Sequence, residues 1–223
     1  MTALIAKLRS TPFIARVAPY ITFVALTALQ GQFGDASKYW FYFAKTFVGI
    51  WLIWAMWPAV KEMRFTFSLE AVLVGVVVFV VWIALDPFYP KLVMGDGKAW
   101  NPHQQFGAGS ELAWLFIATR ILGSTLVVPP IEEAFFRSFL YRYVIKEKFD
   151  EVPLKQFHFV ALTISSLLFA FIHREWLAGI FCGVAYQWLV IRKGHLGDAM
   201  TAHAITNLLL GLWVVYKGAW QFW

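Results

Sequence analysis

Phe65–Leu85 reads FTFSLEAVLVGVVVFVVWIAL, with Glu70 as its single charge. Arg64 precedes it and Asp86-Pro87 follows. A run of this length spans the hydrocarbon core of a bilayer as a helix, at ~1.5 Å of rise per residue. Its valines, dense from Val72 to Val81, favour strand in water. A bilayer offers a lone strand no hydrogen-bond partners, so helix is the reading that satisfies the backbone.

Working outward, seven further segments read as helices, several of them short and one, 131–145, carrying four charges. They are 17–33, 39–57, 112–128, 131–145, 157–172, 176–191 and 196–216. The sequence therefore predicts an all-α, polytopic membrane helical bundle of about eight transmembrane helices. Pro129-Pro130 is expected to divide the fourth span from the fifth. Lys45, inside the second segment, is expected to snorkel to one end. The chain reads as a single membrane domain, 1–223, with three N-terminal helices in 1–86. Its one long loop, 86–110, carries three prolines and mixed charge, and is expected to be irregular and to serve as a lid.

Composition agrees. Of 223 residues, 60% are hydrophobic and 14% charged, against ~45–50% and ~25% in soluble domains. A soluble globule, a disordered chain and a collagen are excluded. Nucleic-acid binding is excluded too, despite a net charge of +6. The single cysteine, Cys182, rules out an internal disulfide and a thiolate metal cluster, and is read as buried and inert.

An ionisable side chain in a span costs ~2.5–3.5 kcal/mol on insertion scales, so each is a functional candidate. The densest group is Pro130-Ile-Glu132-Glu133-Ala-Phe-Phe-Arg137. Glu133 and Arg137, four apart, share a helix face and can neutralise each other. Glu132 is turned away and left free for a cavity. The next helix ends in Phe169-Ala-Phe-Ile-His173, and the last contains His203 and Asn207, again four apart. Gly179 and Gly183 form a GxxxG pair that lets a neighbouring helix approach. Arg120 lies within the fourth segment as a second carboxylate partner or a pore-lining cation. The bland alternatives are an acid-capped helix start for Glu132-Glu133, an interfacial hydrogen bond for His173, and polar glue between helices for His203 and Asn207.

In order along the chain, EExxxR (Glu132, Glu133, Arg137), FxxxH (Phe169, His173) and HxxxN (His203, Asn207) resemble the CAAX protease and bacteriocin-processing family. The resemblance covers roughly residues 110–216, the expected catalytic core. Ser138 stands where the family usually has glycine, which should loosen packing slightly. The family implies an integral, multi-pass intramembrane endopeptidase (of the inner membrane, in a bacterium) acting on a membrane-anchored or prenylated peptide or protein. By that resemblance Glu132 with His173 activates water, and His203 with Asn207 stabilises the oxyanion. Glu133 and Arg137 hold these groups in place. A divalent metal such as zinc is a further option, with Glu132, His173 and His203 as an open three-ligand set. Two other classes compete. One is a noncatalytic immunity or scaffold protein. The other is a proton-coupled transporter, disfavoured by the missing internal repeat.

Overall fold

The computed structural model describes residues 2–93 and 99–223, and is helical, with no strand among the described residues. The helices are α1 (Thr2–Leu8), α2 (Pro12–Ala28), α3 (Ser37–Met56), α4 (Leu69–Leu85) and α5 (Pro102–Phe106). A continuous helical run follows, α6 (Glu111–Ile145), then α7 (Phe159–Phe171), α8 (Trp176–Lys193) and α9 (Gly197–Lys217). Side chains close the orphan amides at several helix starts. The Ser68 hydroxyl accepts from the Ala71 N–H at 3.1 Å, Ser110 from Ala113 at 3.1 Å, and His158 Nδ1 from Ala161 at 3.2 Å.

Eight crossings are expected, but among the described residues only three helices are long and apolar enough to cross a bilayer by length and composition. They are Leu69–Phe88, Glu111–Ile145 and Gly197–Lys217. α2 and α7 are apolar but shorter, at 17 and 13 residues. A 13-residue helix rises only about 20 Å, short of the ~30 Å hydrocarbon core.

Two of the expected spans are in fact one helix. Pro129-Pro130 does not break α6, because the turn before it widens. Gly123–Val127 is π-helical, and the Val128 N–H donates to the Gly123 carbonyl, five residues back. The helix restarts at Val128, with the prolines in its first turn, where missing N–H groups cost little. A second π-helical segment, Ala134–Leu140, follows the acidic pair, and the Tyr141 N–H reaches back five residues to Phe136.

The loop 86–110 is more regular than expected. It contains a 3-10 turn at Asp86–Phe88 and the short helix α5, capped by the Asn101 side chain on the His103 N–H at 3.0 Å. Its first flank is tied to the α7–α8 connection by Leu92 N–H to Arg174 O at 3.1 Å and Trp176 Nε1–H to Pro90 O at 3.0 Å. Residues 94–98 of the expected lid lie outside the described residues.

Close packing surrounds the site. A Cβ on Gly179 would stand 2.8 Å from Ala170 Cα, and one on Gly183 2.9 Å from Ser166 Cα, so this pair lets α8 lie against α7. A Cβ on Gly75 of α4 would meet the Ala202 carbonyl oxygen of α9 at 2.6 Å. The large side chains on the outside of α4, among them Leu73, Val77 and Val80, are exposed, as lipid-facing residues would be.

Ser138 does not loosen the packing. It is fully buried, and its hydroxyl joins Arg16 Nε at 2.6 Å, Arg142 Nη2 at 2.8 Å and the Glu62 carboxylate. Glu62 Oε1 also accepts from Arg16 Nη2 at 2.6 Å and Arg142 Nη2 at 3.0 Å. One serine thus ties α2, the α3–α4 connection and α6 together.

Candidate active site

Glu132, His173, His203 and Asn207 come from three separate regions: α6, the end of α7, and α9. All four line one cavity of about 540 Å³. Its walls also reach the exposed apolar residues Val24 and Ile172, so it communicates with the outer face of the bundle. Glu132 is 9% exposed, and its Oε2 is buried without a hydrogen-bond partner among the described residues.

The histidines are held by one ring nitrogen each. His173 Nδ1 lies 2.7 Å from the Phe169 carbonyl oxygen. A carbonyl only accepts, so Nδ1 carries the proton and Nε2 of the neutral ring offers a lone pair. Phe169 and Trp82 pack on this ring, at 4.7 and 5.7 Å between centroids. His203 Nδ1 lies 2.9 Å from Glu133 Oε1, and the ring stacks on Tyr186 at 5.0 Å. Tyr186 is fixed in turn by its hydroxyl, 2.8 Å from Thr206 Oγ1.

Glu133 and Arg137 are in contact, as their spacing suggests, with Nε 3.3 Å from Oε2. Glu133 therefore bridges Arg137 and His203, a link absent from the sequence reading. The Arg137 guanidinium is 1% exposed and makes no hydrogen bond among the described residues. It rests instead over the Phe169 ring, 4.4 Å from its centroid.

Asn207 is oriented by the π-helical turn. Val128 donates to Gly123, and the next residue, Pro129, has no N–H. The Ser124 carbonyl is thereby left without a helical donor, and Asn207 Nδ2 donates to it at 2.8 Å. This fixes which end of the amide is nitrogen and leaves its second N–H free of that bond.

Lys45 does not snorkel. It lies near the middle of α3, 5% exposed, and lines the same cavity. Its Nζ donates to Thr27 Oγ1 at 2.9 Å and sits over the rings of Phe23 and Tyr42, 4.6 Å from each. A polar helix neighbour and two aromatic faces hold it inside. Arg120 also lines the cavity, its guanidinium over Tyr42, Trp100 and Trp223, and no carboxylate meets it among the described residues. Position inside an apolar run is the signal that marks Lys45; only its depth was hidden.

Cys182 is buried and unpaired, as expected. The other histidines have local duties: His158 caps α7, and His195 Nδ1 accepts from the Gly197 N–H at 3.1 Å. For the zinc option, no three His, Cys, Asp or Glu side chains come together as a ligand group among the described residues.

Residues 113–209 match the family model described as Rce1-like, type II CAAX prenyl endopeptidase. No curated protein and no solved structure matches the chain. Over residues 113–209 the chain is therefore similar to the CAAX protease family that its motifs resemble.

Proposed function

We propose that this protein is a multi-pass integral membrane endopeptidase that hydrolyses a peptide bond in a membrane-anchored or prenylated peptide. The observation that carries this reading is the meeting of Glu132, His173, His203 and Asn207 on one cavity that reaches the apolar exterior.

The chemistry runs on these side chains. A water in the cavity is polarised by the Glu132 carboxylate and the free Nε2 of His173. Glu132 takes its proton as the oxygen attacks the peptide carbonyl carbon. The tetrahedral oxyanion accepts hydrogen bonds from the second N–H of Asn207 and from His203 Nε2. The latter needs the doubly protonated ring, because Nδ1 already faces Glu133. The Glu133 carboxylate supports that imidazolium, with Arg137 as its second counter-charge. Glu132 then returns its proton to the leaving nitrogen, the tetrahedral centre collapses to a carboxylic acid and an amine, and the remaining acid proton passes to the amine to leave a carboxylate and an ammonium group.

A dry cavity strengthens each of these interactions relative to water. The test is to reconstitute the purified protein in liposomes with a pool of lipid-anchored peptides and to read products by mass spectrometry. Paired fragments from internal cleavage are expected. Complete recovery of intact peptides across the pool would contradict the reading.

A further inference from the structure

The buried arginines of this protein meet carboxylates: Arg16 and Arg142 meet Glu62, and Arg137 meets Glu133. Buried Lys45 and half-buried Arg120 are different. Both line the large cavity, and among the described residues neither has a carboxylate within ion-pair distance; Glu132 acts on Lys45 only across the cavity. Both sit over the same aromatic ring, that of Tyr42, at 4.6 and 4.9 Å from its centroid. Trp100 and Trp223 hold the Arg120 guanidinium from further sides. Glu175, at the cavity wall, has Arg174, Asp86 and Lys91 as its charged neighbours.

A cation drawn out of water without a counter-ion in contact is costly. Ring faces recover part of that cost and fix the cation in place without neutralising it. Two such cations, shared by one ring and facing open space, make a site built for an anion. The Arg120 fork suits a planar oxyanion, and Lys45 adds a second donor with three hydrogens.

Depth favours an anion carried by substrate over a lipid headgroup. Arg120 lies more than two turns inside α6, a helix long and apolar enough to cross a bilayer, and Lys45 sits over the same Tyr42 ring. Phospholipid phosphates sit at helix ends, outside the hydrocarbon. The site shares its cavity with Glu132 and His173, so whatever reaches the hydrolytic groups can also reach the cations.

We infer that Lys45 and Arg120 form an anion subsite that binds a carboxylate of the peptide substrate. This rests on the peptidase reading above. The carboxylate is either the C-terminal one or that of an Asp or Glu side chain on the peptide. The subsite lies partly outside the family match, since Lys45 belongs to α3. It makes the N-terminal helices a source of specificity for a reaction performed by the C-terminal half.

The experiment compares three lipid-anchored peptides of one sequence: a C-terminal amide with Gln, a free acid with Gln, and an amide with Glu. Binding is measured on Glu132→Gln protein in phosphatidylcholine nanodiscs, and cleavage on the unaltered protein. At least one carboxylate peptide should bind about 10- to 100-fold tighter than the neutral one, the range for a charge-assisted hydrogen bond. Which peptide gains identifies the source of the carboxylate. Arg120→Gln should remove most of the gain, Arg120→Lys should keep part of it, and Lys45→Met should reduce it.

Equal binding of all three peptides overturns the subsite, and needs no variant to fold. A preference that survives both Arg120→Gln and Lys45→Met also overturns it. So does equal peptide binding that rises only when phosphatidylglycerol is added, which assigns the cations to lipid. Carboxylate-selective binding without cleavage of any peptide supports the subsite and counts against the peptidase reading instead.

Discussion

Each polar side chain in the cavity is defined by what occupies its other end. Asn207 is held by a carbonyl that exists as an acceptor only because Pro129 cannot donate and Val128 reaches back to Gly123. Asn207→Ala should lower turnover by ~10²–10³, the usual worth of one oxyanion donor. Asn207→Asp should fare no better, because a carboxylate would face the Ser124 carbonyl. Steady-state kinetics on a cleaved peptide checks both, and unchanged kcat in Asn207→Ala would remove it from the mechanism. Glu133 is the counter-ion of two groups, Arg137 and His203. Glu133→Ala leaves a buried guanidinium alone, and should destabilise by about 3–5 kcal/mol. Glu133→Leu with Arg137→Met removes both charges and should recover much of that loss in thermal unfolding. The motif residues were legible one by one, because charges in an apolar run stand out. Their pairing was not. A spacing of four predicted Glu133 against Arg137, whereas the His203 contact crosses from α6 to α9 and no local period encodes it.

The helices show the same division between local and crossing information. The apolar runs were readable as bodies of helices, whereas the caps at Ser68 and Ser110 emerge from the structure. The continuity of α6 was not, because proline rules describe an α-helical register. Here two π-helical turns change which amide meets which carbonyl. Lys45 was misplaced for a related reason. Sequence distance to a helix end says that a lysine can snorkel, while the rings of Phe23 and Tyr42 and the Thr27 hydroxyl decide that it does not. The Gly179–Gly183 pair was correctly read as a close-approach surface. Gly183→Leu must push α8 away from α7, which carries Phe169 and leads into His173. A stability loss of about 1–3 kcal/mol is expected from such overpacking, with activity falling further than stability alone explains. Wild-type activity at the permissive temperature would show that the α7–α8 contact does not position the histidine.

In the molecule as a whole, the N-terminal helices are joined to the matched segment by the Glu62 cluster. Burial alone would raise the Glu62 carboxyl, but the Arg16 guanidinium and Ser138 hydroxyl outweigh it and hold it below the usual glutamate range. A carboxyl depressed by folding stabilises the native state above its unfolded value of ~4.3 and loses that contribution as pH falls through the folded value. Thermal stability should therefore drop in acid below about pH 4. Glu62→Gln should be less stable at neutral pH by about 1.5–3 kcal/mol, the worth of hydrogen bonds to a charged group, and should show a shallower acid dependence. An identical acid profile in the variant would place the sensitivity elsewhere. The central claim is that Glu132 activates water in this cavity for peptide hydrolysis. Its most direct test is the turnover of Glu132→Gln against unaltered protein, in liposomes, on a peptide whose cleavage site has been established by mass spectrometry. The variant keeps the volume and a polar group but cannot take the proton of the water. A fall of ~10²–10⁴ in kcat with an unchanged melting temperature is expected, and full activity of a folded Glu132→Gln protein would contradict the account.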